Sequence, residues 1–172
     1  MLTCTVHHTH NGGLNPDPSI AYATVPSPDG SCKTALQESS DFREVFEVVR
    51  RSVKELLGVE RRGLELYLRE LPLHVGAFHR IGTNIIVMNR TLIDLIVESQ
   101  ASISEIKSFI YSILLHEYLH SLGVYDELQV RRLTYQISRQ TLGEDHPATI
   151  LAENGPWTIL NRPSASRSSR RI

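Results

Sequence analysis

Cysteine is nearly missing from this chain: Cys4 and Cys32 are the only two among 172 residues, and both fall in a Pro/Gly/Ser-rich N-terminal part. A disulfide framework for the core is thereby excluded, no C-x-x-C pair exists to build a cysteine zinc site, and free thiols are expected. A surplus of one charge is missing too. Eighteen basic against nineteen acidic residues leave a net charge of −1, so no overall field draws in nucleic acid or an anionic membrane surface. Long apolar runs are also wanting. The longest, around Ile85–Met88 and Ile113–Leu115, are far too short to span a bilayer, and the first residues hold no apolar stretch of signal-peptide length. The expectation is a cytoplasmic protein with no nucleic-acid partner and no membrane.

What is present suits one domain with tails, since 41% of the residues are hydrophobic and the chain is long enough to bury a core. Residues 1–39 carry half of the prolines (Pro16, Pro18, Pro26 and Pro28) and little apolar periodicity. Such a composition does not offset the entropy of ordering, and it predicts a disordered or loosely attached leader. Cys4, His7, His8 and His10 within it read as a polar tail rather than a metal cluster. A folded unit over 40–160 follows, then a Ser/Arg-rich tail over 161–172 with Arg167, Arg170 and Arg171, expected to be disordered.

Inside the folded unit, a helix is expected from Ser40 or Asp41 to Gly58, with Phe42, Val45, Phe46, Val49, Val53, Leu56 and Leu57 on one apolar stripe. Leu64, Leu66 and Leu68 alternate with Glu65, Tyr67 and Arg69, the period of a half-buried strand, and Pro72 ends it. Val75–Asn89 reads as two strands around a turn at Gly82-Thr83-Asn84. His79, on the first of them, is expected to be a surface or packing residue. Thr91 and Asp94 have capping-box spacing for a short helix over 91–99, and Ser102 and Glu105 repeat it at the head of a long apolar helix. Another helix is expected from Asp126 or Glu127 to Leu142, and one more turn near Ala148–Ala152. Trp157, Ile159 and Leu160 are expected to dock back on the core.

The long helix ends in His116-Glu117-Tyr118-Leu119-His120-Ser121-Leu122-Gly123-Val124-Tyr125-Asp126. Helical residues four apart share a face, so His116 and His120 can each offer a ring nitrogen to one Zn²⁺. Glu117 then lies beside the metal without binding it, where a carboxylate can take a proton from water as general base. Two histidines and a glutamate facing a core with no partner would be costly. Gly123 can adopt positive φ and turn the chain back, letting Asp126 reach the metal as third ligand. Neighbouring Glu127 and His146 are the alternatives for that position, and Tyr125 or His146 for holding an oxyanion.

These eleven residues resemble the zincin metallopeptidases, and the H-E-x-x-H-x-x-G-x-x-D form resembles the small aspartate variants of the metzincins. The resemblance implies an α+β fold: a compact zincin-like domain with a small mixed sheet packed against helices and the motif helix at its centre. It also implies zinc held by His116, His120 and Asp126, with Glu117 as general base in the hydrolysis of a peptide or protein substrate. Glu144 and Glu153 join the alternatives for the third ligand only if the chain resembles the zincins whose third ligand is a glutamate on a later helix. One departure is plain, since metzincins place a methionine turn beneath the metal and no methionine follows Met88. Two rival expectations stand beside this one. A bacterial RNA-processing family has a similar H-x-x-x-H-x-x-G helix followed by an Asp-His pair, whereas here Glu117 replaces a glycine and Asp126-Glu127 replace the histidine ending. The other is a latent peptidase or a non-catalytic, zinc-stabilised interaction module.

Overall fold

The computed structural model describes residues 30–161. Six α-helices, a three-stranded sheet and a closing 3₁₀ helix make an α+β fold. Helix α1 (Ser31–Glu38) buries Cys32 and Leu36, so the last part of the segment expected to be a leader is folded. Two apolar residues four apart, docked against α2 and α4, were enough to order it. The remainder of that leader, the Cys4/His7/His8/His10 cluster and the basic tail beyond 161 lie outside the described residues.

Helix α2 (Phe42–Leu57) begins where expected. Asp41 caps it by accepting from the amides of Arg43 and Glu44 at 2.8 and 2.9 Å, and Gly58 ends it with φ of 67°. Its stripe of Val45, Phe46, Val49 and Val53 is buried against the central helix.

Strands β1 (Glu65–Arg69), β2 (Ala77–His79) and β3 (Ile85–Asn89) form a mixed sheet in the order β1-β3-β2. β1 runs parallel to β3, with Tyr67 opposite Val87. β2 and β3 are antiparallel, with Phe78 opposite Val87, and form the expected hairpin. The period-2 pattern decides the faces. Ala77, Ile86 and Met88 are buried with Leu66 and Leu68 packed beside them, while Glu65, Tyr67, Arg69, Phe78 and Ile85 look outward.

Helix α3 (Arg90–Glu98) is capped by Asn89, whose side chain accepts from Leu92 at 3.4 Å. The Thr91–Asp94 capping box expected there does not form, because the helix starts one residue earlier on a better-placed amide side chain. Asn89 is fully buried, and its side-chain amide also donates to the carbonyls of Leu71, Pro72 and Val75. One residue thus ends β3, starts α3 and pins the loop before β2.

The motif helix α4 (Ile103–Ser121) opens with the Ser102–Glu105 capping box as expected. From Ser108 to Ser121 all but one of its side chains are buried, because it is covered by α2, the sheet, α5 (Glu127–Leu142) and α6 (Pro147–Asn154). A helix enclosed on every side needs no apolar stripe. The 3₁₀ helix (Pro156–Asn161) docks on α6 through Ile159, which is buried, whereas Leu160 stays exposed. Among the described residues no helix is long and apolar enough to cross a membrane.

Candidate metal centre

The C-terminal end of α4 is a Schellman motif. The amide of Val124 donates to the carbonyl of Leu119 at 3.2 Å, that of Gly123 to His120 at 3.0 Å, and Gly123 has φ of 95°. This reversal carries the Val124 carbonyl back over the helix end, where it lies 2.8 Å from Nδ1 of His120. A carbonyl only accepts, so Nδ1 bears the proton and Nε2 of the neutral ring presents a lone pair. Nε2 of His116 faces it at 3.1 Å, the two rings meeting edge to face.

Immediately after the turn, Asp126 caps α5. Its Oδ1 accepts from the amide of Gln129 at 2.7 Å. Glu127 is thereby the first residue of the helix, and its longer side chain reaches over the histidines. Oε1 lies 3.2 Å from Nε2 of His120 and Oε2 lies 3.5 Å from Nε2 of His116. The group that converges is therefore His116, His120 and Glu127, within 4.8 Å of one another. Asp126, the expected third ligand, does not belong to that group; its carboxylate faces the helix amides instead. The physical reason is that a short aspartate directly before a helix is drawn to its free amide donors.

Two imidazole nitrogens and a carboxylate turned towards one another form a group of the kind that holds a metal ion. Oε1 of Glu127 is buried with no hydrogen-bond partner despite its nearness to His120, as a contact between two acceptors should be. The spacing suits a metal. Ligands at a zinc–nitrogen distance of about 2.05 Å and a tetrahedral angle are about 3.3 Å apart; the two ring nitrogens are 3.1 Å apart, and separate carboxylate oxygens approach them, Oε1 at 3.2 Å from His120 and Oε2 at 3.5 Å from His116. Two imidazoles and a carboxylate are also the donor types that zinc takes while keeping a position open. The carbonyl of Val124 supplies the outer support that orients a histidine ligand. A hydrogen bond from His116 is the main reason the Glu127 carboxyl lies below its usual range, so this carboxylate stays ionised.

Glu117, the residue after His116 on the same helix, is buried. Its Oε2 accepts from the backbone amide of His79 on β2 at 2.8 Å. Desolvation pushes its carboxyl above the ordinary value, against the pull of His116, His120 and the His79 amide. A carboxyl shifted this way holds a proton more readily, which is what a general base that later acts as an acid requires. The His79 ring anchors the hairpin, Nδ1 donating to the carbonyl of Ile85 at 3.0 Å. Burial holds its pKa down. The part His79 plays through its backbone could not be seen from side-chain identity.

Arg61, which no sequence motif singles out, ties these pieces together. Its guanidinium donates to the carbonyl of Ser121 at the end of α4, and to the Thr83 carbonyl and Asn84 Oδ1 at the hairpin turn, each of the last two at 2.9 Å. Its amide donates to the Tyr118 hydroxyl at 2.9 Å. His146, an alternative third ligand, is instead the cap of α6, Nδ1 accepting from Ala148 at 3.2 Å. Tyr125 is exposed. Glu144 pairs with Arg139 on α5, and neither it nor Glu153 belongs to the converging group. Comparison with protein-family models, curated proteins and solved structures finds no match to this chain.

Proposed function

We propose that this chain is a zinc-dependent metallopeptidase, with His116, His120 and Glu127 as the metal ligands and Glu117 as the general base. The observation that carries this reading is the convergence of His116 Nε2, His120 Nε2 and the Glu127 carboxylate within 4.8 Å of one another, with a second, buried carboxylate one residue along the helix from His116. Zinc bound there would polarise a carbonyl and lower the pKa of water. Glu117 does the proton work. Its carboxylate accepts a proton from the attacking water and returns it to the leaving amine, while the His79 amide holds Oε2 and leaves Oε1 for the water.

A peptide is the substrate class that the surroundings favour. β2 is an edge strand lying against α4, and an extended peptide can add to an edge through its backbone. The near-balanced charge offers nothing of the kind to RNA. The experiment is to load the protein with zinc and incubate the parent and Glu117→Gln separately with casein and with labelled single-stranded RNA. Cleavage of casein by the parent alone supports the reading. Equal cleavage by both proteins sinks the role of Glu117, and cleavage of RNA alone replaces the substrate class.

A further inference from the structure

A second concentration of polar side chains lies at the other end of α4, where Ser108 is about 12 Å along the axis from His116. A cavity of about 140 Å³ opens there between α1, the first turns of α4 and the start of α6, and Ser104, Lys107, Ser108 and His146 form its polar wall. Nothing in the peptidase reading uses it.

Gln37 also lines it, and the wall is rich in donors, one of them without a partner. Ser108 is fully buried and its hydroxyl has no hydrogen-bond partner. A helical serine ordinarily returns its proton to the carbonyl four residues back, as Ser138 does to Thr134 at 2.7 Å. His146 is buried, and because Nδ1 accepts from the Ala148 amide, Nε2 carries the ring proton. The Lys107 ammonium gives one proton to the Gln37 carbonyl at 2.6 Å and has two more. Lys33 adds positive potential at His146. The nearest acid on the helix, Glu105, is turned to the amide and hydroxyl of Ser102 at 2.8 and 2.9 Å.

We infer that this cavity is a binding site for a small oxyanion, a carboxylate or phosphate, accepting from the Ser108 hydroxyl, His146 Nε2–H and the Lys107 ammonium. The volume accommodates about six heavy atoms, since an engineered cavity of about 150 Å³ takes a benzene ring. Leu36 and Ile103 on the same wall suit a short aliphatic acid, whereas phosphate would use the polar wall alone.

The test titrates the full chain with sodium acetate and, separately, with inorganic phosphate, at ionic strength held constant with sodium chloride. It follows the His146 imidazole resonances by NMR. A saturable shift with acetate or phosphate is expected, weakened roughly tenfold in Ser108→Ala and in Lys107→Met, as loss of a hydrogen bond to a charged group implies. The better-binding anion identifies the ligand class. No saturable shift with either anion overturns the inference. So does an equal shift on raising chloride alone, or one that survives both substitutions. The readout is binding, so it stands or falls independently of peptidase activity.

Discussion

The backbone amide of His79 donates to Oε2 of Glu117 across 2.8 Å, joining an edge strand to the motif helix over 38 positions of sequence. Glu117 is therefore oriented by a group that no substitution at position 79 other than proline removes. Replacing it by glutamine keeps the acceptor for this amide and the shape of the site, but deletes the base. Glu117→Gln should bind zinc with parental stoichiometry, measured by metal analysis after dialysis, and lose casein turnover by at least about a hundredfold. Parental turnover would remove Glu117 from the chemistry.

Asp126 and Glu127 should separate cleanly. Glu127→Ala should weaken zinc binding by more than about a hundredfold, beyond the usual effect of an outer-shell change. Asp126→Ala should leave zinc affinity near parental and cost about 1 kcal/mol of stability through the lost cap, with Asp126→Asn restoring it. Competition with a chromogenic chelator and urea unfolding measure the two quantities. Loss of zinc in the Asp126 variant alone would return that residue to the metal.

Arg61 bridges the end of α4 and the β2–β3 turn. Arg61→Ala strands two backbone carbonyls and should lower unfolding free energy by roughly 2–3 kcal/mol. Arg61→Lys should recover only part of it, since an ammonium does not reproduce the planar fork. A shift of the urea midpoint with unchanged slope would show that stability alone has moved.

His146 gives a pH dependence of defined sign. Burial, aided by Lys33, pulls its pKa down to about 4 from an ordinary 6.5. The unfolded chain thus takes up the proton first as pH falls. The stability held by neutral His146 is complete above about pH 6.5, drains away towards pH 4, and changes no further below that. Asn at this position can accept from the Ala148 amide without titrating. The parent should therefore lose more stability than His146→Asn between pH 6.5 and 4 in thermal melts, and parallel profiles would remove His146 as the cause.

The sequence disclosed elements and motif better than connections. Capping residues, alternating leucines and the glycine stops located α2, the hairpin, α4 and α5, because each is a local pattern with a local cause. Helix α1 escaped because Cys32 and Leu36 matter only once α2 and α4 are there to bury them. The parallel pairing of β1 with β3 had no local signature either. In the site, the two histidines and Glu117 were legible from helical spacing. Which of the two adjacent acids turns to the histidines also has a local signal. Asp is a strong cap and Glu a weak one, so Asp126 belonged to the helix start and Glu127 was left for the histidines. His79 acts through its own backbone amide, and the Arg61 guanidinium mostly through carbonyls of distant residues, which residue types do not announce.

His116, His120 and Glu127 lie within one continuous stretch, a helix end, a turn and a helix start, while the partner that orients Glu117 comes from the sheet. The two halves of the site thus answer to different parts of the fold. Opening of the small sheet would cost the base its alignment while the α4–α5 corner stays closed around the three converging groups. On mild heating, turnover should therefore fail at a lower temperature than ion retention, leaving a species that still holds its ion but no longer cuts.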